Sequence, residues 1–129
     1  MRLLHDGRLD SRFGKAGRVV VAVSADNWDE ATALVQQPDQ RLLLGGWTYT
    51  GNSSSADTVL VRLNADGSRD DAFGPGGIRV TTVAAGTRTD AGRALALQPD
   101  ERITTLRVLQ AGEAGGSSDL DVVLMRHWL

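Results

Sequence analysis

The side chains with the widest chemical reach in this 129-residue sequence are five aspartates at short spacing: Asp6, Asp10, Asp66, Asp70 and Asp71. In Asn64-x-Asp66-x-Ser68-x-Asp70, oxygen-bearing residues alternate as they do at the start of a calcium loop. A helix–loop–helix calcium site needs glycine at its sixth position and a later bidentate glutamate. Here Gly67 is fourth and that glutamate is missing, while Leu4 and Arg8 replace two of the oxygens in the earlier copy. Aspartates that bond backbone amides within turns are the better reading. No metal site is expected.

Trp28, Trp47, Tyr49 and Trp128 could stack on a sugar ring, and Trp47 and Tyr49, two apart on one strand, would share a face. Trp28, Trp47 and Tyr49 are therefore candidate ligand-binding residues, set against the commoner role of a large aromatic packed between sheets. His5 and His127 have no nucleophile motif or metal-ligand spacing around them, and Gly74-Pro75-Gly76-Gly77 lacks the spacing of a phosphate loop. Asn52-Ser53-Ser54 fits the glycosylation triplet, a match short enough to arise by chance. No catalytic residue, cofactor-binding residue or cofactor is expected, and the chain is not expected to be an enzyme.

The net charge of -2 and the absence of a basic run argue against nucleic acid as a partner. Without cysteine there is no disulfide framework and no thiolate nucleophile. The start, Met1-Arg2-Leu3-Leu4-His5-Asp6-Gly7, has no apolar export core, and no stretch approaches the ~18 apolar residues of a membrane span. No membrane partner is expected. A cytoplasmic location is expected if the chain is complete, an extracellular one if it is cut from a larger protein.

The elements that would position these residues come in two copies. Asp6-Gly7 recurs as Asp66-Gly67, Asp10 as Asp70, Phe13-Gly14 as Phe73-Gly74 and Gly17 as Gly77. Gln37-Pro38-Asp39 recurs as Gln98-Pro99-Asp100, Arg41 as Arg102, Asp57 as Asp121 and Arg62 as Arg126. The spacing drifts upward along the chain, which puts insertions in the Gly/Ser-rich segments Thr50–Ala56 and Ala111–Ser118, read as loops. The recurring arginines are expected to pair with a repeated aspartate such as Asp57 or Asp121, or to lie on a sheet edge.

Each copy carries four expected strands. They are Arg18–Ser24, Glu30–Gln37, Arg41–Tyr49 and Asp57–Leu63, then Ile78–Ala84, Asp90–Gln98, Arg102–Gln110 and Asp119–His127. Asp-Gly supplies turns through the positive φ that glycine accepts, and Pro-Asp places proline where its fixed φ suits a turn. Glu30–Gln37 and Asp90–Gln98 have helical propensity, but eight or nine residues ending at proline make a marginal helix. Strand is the expectation there.

Asp-Gly-x-x-Asp-x-x-Phe-Gly, with a later Gln-Pro-Asp and Asp-x-x-x-x-Arg, resembles the delta-60 repeat, a bacterial β-propeller repeat of unknown function. The resemblance rests on Leu63–Gly74 and Ala94–Asp100 and spans nearly the whole chain as two copies. Gln40-Arg41 and Glu101-Arg102 replace the Gly-Lys usual after Gln-Pro-Asp. The glycine usual in the third strand, kept at Gly45 or Gly46, is missing from Ile103–Val108. The resemblance implies an all-β fold of two four-stranded antiparallel blades, residues 1–63 and 64–129, in one structural domain.

Blades bury their faces against their neighbours, so two alone leave apolar flanks. Met1-Arg2-Leu3, Val61-Arg62-Leu63 and Met125-Arg126-His127 share one phase of the repeat, as ring closure by several copies requires. The expectation is a homo-oligomer, favouring three chains and six blades, acting as a non-enzymatic scaffold for a protein or glycan ligand. A lectin-like oligomer, or an architectural fragment of a longer array, are the alternatives. A sandwich of two sheets is a further possible packing.

Overall fold

The computed structural model describes residues 1–25, 28–49, 55–83, 89–98, 107–116 and 119–129, with backbone alone for 107–113, 116, 119 and 120. The chain is all-β, with no α-helix among the described residues. Seven strands among the described residues form one sheet: β1 (Asp29–Gln36), β2 (Leu42–Tyr49), β3 (Ala56–Leu63), β4 (Ile78–Thr81), β5 (Thr89–Gln98), β6 (Arg107–Gly116) and β7 (Asp119–Trp128). Among the described residues no helix is long and apolar enough to cross a membrane.

Strands β1, β2, β3 and β4 pair antiparallel in that order. Strands β5, β6 and β7 do the same. Among the described residues one parallel pair, Ala56 with Thr89, joins the two groups. The helix-prone Glu30–Gln37 and Asp90–Gln98 are strands, as expected. At that length the ladder to a neighbouring strand outweighs propensity. Both strands carry an irregularity at the same place, between Ala31 and Ala33 opposite Gly46 and Gly45, and between Gly92 and Ala94 opposite Gly112 and Ala111.

That shared register corrects three expectations. Gly112 stands where Gly46 stands, so the glycine thought missing from the second copy is present. A Cβ on Gly46 would run into the Glu30 carbonyl, which is why the site needs glycine. The third strand of the second copy, expected at Arg102–Gln110, runs over Arg107–Gly116, past its expected end; residues 102–106 lie outside the described residues. Ala111–Gly116, expected as loop, is strand. Turn Pro99-Asp100, Arg102 and Thr50–Ser54 lie outside the described residues.

Arg18–Ser24 departs further. It forms no strand, and only Arg18 takes part in isolated bridges, to Gly14 and Lys15. Val19, Val21 and Val23 nevertheless pack on Val59, Val61 and Leu63 of β3. Its repeat counterpart, Ile78–Ala84, is a strand over Ile78–Thr81, because β3 lies beside it: Ile78 pairs with Val61 and Thr81 with Thr58. Ala84 is outside the described residues. Hydrogen-bonded layers thus cut across the sequence repeat, since β4 belongs to residues 64–129 but completes the ladder of β3.

All eight positions of β3 are buried. A strand that points alternate side chains to opposite sides can do this only when both faces are covered. Val59, Val61 and Leu63 face Phe13 and the 19–23 segment. Leu60 faces Leu43, Phe73, Leu95 and Leu129.

Candidate functional site

The Asp-Gly motif builds the same corner twice. In each, the carboxylate within the turn accepts a backbone N–H two residues on: Asp6 from Arg8 at 3.0 Å, Asp66 from Ser68 at 2.8 Å. Gly7 and Gly67 sit at φ 83 and 87, the left-handed region glycine tolerates. Asp66 also accepts the Ser68 hydroxyl at 2.7 Å. That hydroxyl, its amide partner and an attraction to Arg2 hold the Asp66 carboxyl below 3.8, against burial. Asn64 turns its amide nitrogen onto Ser68 Oγ at 2.9 Å, presenting a donor where a calcium loop needs an oxygen. Among the described residues no three acidic or histidine side chains gather as a metal group.

Four residues beyond each turn aspartate, a second one closes the corner. Asp70 accepts Arg62 Nε at 2.8 Å and the Ala72 amide at 3.1 Å, with Arg41 Nε at 3.2 Å. Asp10 accepts Arg2 Nε and the Arg12 amide, both at 3.0 Å. The Arg12 amide and the Arg2 and Arg12 guanidiniums hold Asp10 below 3.8, although burial works the other way. Each central arginine lies over the ring of the motif phenylalanine: Arg2 4.6 Å from Phe13, Arg62 4.7 Å from Phe73. Arg41 and Arg62 do pair with a repeated aspartate, but it is Asp70. The arginine eight residues before the aspartate and the phenylalanine three after it were visible signals of this cluster, since all three recur 60 apart.

A third repeated device ties the segment after each corner to the next strand. Val23 donates its amide to Asp29 at 2.8 Å, and Val83 donates to Asp90 at 2.5 Å. Burial raises the Asp29 carboxyl, but the Thr48 hydroxyl at 2.6 Å and the Val23 and Ser24 donors outweigh it and hold it below 3.8.

The three aromatic candidates meet at one end of the β1–β2 pair. Trp47 and Tyr49 touch edge to face, centroids 5.3 Å apart at 83°. The Tyr49 amide donates to the Trp28 carbonyl at 3.2 Å. Trp28 is 78% exposed, whereas Trp47 and Tyr49 are half-buried. Trp128, at the end of β7, is well separated in sequence and accepts Arg79 Nη1 on its carbonyl at 2.9 Å. His5 is exposed in the first turn. His127 is half-buried, and burial, with Arg79 nearby, lowers it below 6.5.

Among the described residues an apolar groove of about 300 Å³ opens on the face of β1–β3 that carries the N-terminal segment. Val19–Val23 form one wall; Leu44, Val59 and Val61 form its floor. Its lining is otherwise aliphatic and glycine, and Asp29 and Glu30 mark its polar end.

Residues 37–73 match a family model described as a beta-propeller domain of unknown function (DUF5122). The match covers the β2–β3 pair and the second corner, and it supports a β-propeller repeat family. No curated protein and no solved structure matches the chain.

Proposed function

We propose that this chain is a β-propeller repeat module that works by binding, a stack of sheet blades offering faces and strand ends to partners. In this reading β1–β4 is one blade and β5–β7 another lacking its outer strand, both of the delta-60 kind. The observation that carries it is the use made of the repeated charged groups. Asp10, Asp70, Arg2 and Arg62 are the side chains whose number and spacing most invite chemistry, and each is engaged in closing a corner. What remains open is apolar: the groove on one face, and Val122 and Leu124 on β7. Contiguous exposed apolar surface marks interaction sites. Turnover of any substrate that vanishes in Asp10→Asn or Asp70→Asn without loss of folding would overturn the reading.

Exposed Trp28 beside the Trp47–Tyr49 pair favours a second reading, a sugar stacked at that end of the sheet. An oligosaccharide array run with the full chain and with Trp28→Ala tests it. Binding lost at unchanged melting temperature supports a ligand site; an array without binders removes it.

A further inference from the structure

We infer that Arg18–Val21 of one copy adds to β7 of a second copy as its outer strand, joining copies head to tail. The inference rests on the blade reading and deepens it by naming the partner, another copy of this chain.

The template for this contact lies within the chain. Strand β4 pairs with β3 through Ile78–Val61, Arg79–Leu60, Val80–Val59 and Thr81–Thr58. Two features that flank β4 are duplicated around residues 18–21. The Arg62–Asp70–Phe73 corner that precedes it is matched by Arg2–Asp10–Phe13. The Val83–Asp90 bond beyond it is matched by Val23–Asp29. The segment is therefore already held as β4 is held, but among the described residues no strand lies beside it.

Strand β7 is the complementary half. It repeats β3, Asp121 for Asp57 and Arg126 for Arg62, and its one strand neighbour among the described residues is β6. Where β3 buries Thr58 and Leu60 completely, β7 exposes their counterparts Val122 and Leu124 by 89% and 68%. Transferring the β3–β4 register puts Met125 opposite Arg18, Leu124 opposite Val19, Val123 opposite Val20 and Val122 opposite Val21. Residues directly opposite share a face. Leu124 and Val122 thus join Val19 and Val21 on the side of the apolar groove, and Val20, itself 89% exposed, gains a neighbour.

The two halves cannot meet within one copy. Val19, Val21 and Val23 lie on the Val59–Val61 face of β3. Leu129 and Met125, at the end of β7, lie on the Leu60–Thr58 face. The sheet stands between them. The contact joins two different surfaces, so it repeats until a ring closes. With two blades per copy and about 4–8 in a propeller, two to four copies suffice.

Mixing a Val20→Cys chain with a Val123→Cys chain tests the register. Under mild oxidation the pair forms a mixed disulfide between copies, because opposed antiparallel residues lie within disulfide reach. Val20→Cys mixed with Leu120→Cys forms at least tenfold less. Light scattering of the unmodified chain gives two to four times 13.7 kDa. Val20→Pro removes one ladder N–H at an exposed position and returns the mass to one chain with circular dichroism unchanged. A folded single chain at all concentrations up to the solubility limit overturns the assembly while leaving the blade reading standing. An oligomer without the selective disulfide overturns the pairing. Far-ultraviolet circular dichroism without β-structure would instead sink the blade reading itself.

Discussion

Removing the Asp70 carboxylate by Asp70→Ala leaves the Arg62 guanidinium buried without its anion. Arg62 is 8% exposed at its side chain and Asp70 7%, with 2.8 Å between Nε and Oδ2. Breaking such a pair from one side costs about 3–5 kcal/mol, because the remaining charge is desolvated and uncompensated. The Ala72 amide loses its acceptor as well. For a domain of this size, ~1 kcal/mol moves the melting temperature by roughly 3–4 °C, so a fall of about 10 °C or more is expected. The internal control is Asp10→Ala. It breaks the same corner, but Arg2 is 38% exposed at its side chain and can return to water. Thermal unfolding followed by circular dichroism, with guanidinium titration for the free energy, should therefore show the clearly larger loss for Asp70→Ala. Equal losses in the two variants would refute the claim that burial of the arginine sets the cost. So would an Asp70→Ala loss under ~1 kcal/mol, the scale of a surface pair.

His127 has a folded pKa lowered below 6.5, chiefly by burial, so the unfolded chain binds its proton more tightly. Its contribution is complete above pH 6.5 and is lost as pH falls below that value; His127→Leu should remove this first limb of a stability–pH curve. Asp10, Asp29 and Asp66 are all held below 3.8, so their stabilisation is present above that pH and disappears as pH falls through their lowered values. In a pH series of denaturant midpoints, Asp29→Asn should flatten the acid limb without touching the histidine limb. Gly46→Ala drives a methyl into the Glu30 backbone and should cost about 3 kcal/mol, whereas Gly7→Ala meets open space and incurs only the left-handed backbone penalty of roughly 1–2 kcal/mol. Equal midpoints for these two variants would contradict the steric account.

The corners were legible because their chemistry is local. An Asp-Gly turn and an aspartate accepting an amide two residues on need only neighbours in sequence, and both copies formed as the repeat implied. Strands β1, β3, β5 and β7 were legible for a related reason, since short segments rich in β-branched and aliphatic residues between turn signals have few other ways to pair. The end of strand β6 was misplaced because its extent depends on pairing with β5 through the irregularity at Gly92, a constraint invisible in its own residues. Residues 18–24 carry an apolar run equal to any strand here, yet lack a ladder. Strand formation depends on a partner, and sequence alone does not say where the partner is. The Trp47–Tyr49 contact was implied by their spacing; the approach of Trp28 to them depended on the β1–β2 register.

The proposed junction also has an energetic character that distinguishes closed from open growth. Covering Val122, Leu124 and Val20 is worth roughly 1.5–2 kcal/mol each by area, hence about 4.5–6 kcal/mol. Bringing two copies together costs an estimated 4–15 kcal/mol, so one junction alone is weak. The corner and the Asp29 anchor reduce the ordering cost by holding residues 18–23 in place beforehand, but that does not add contact. Ring closure does: the last junction forms between ends already tethered, at an effective concentration far above the bulk value. Sedimentation velocity across a dilution series should therefore resolve single chains and one closed species, with open intermediates scarce. A continuous ladder of sizes growing with concentration would mean that the junction's rotation does not close, and β7 would then act as an adhesive edge rather than a ring contact.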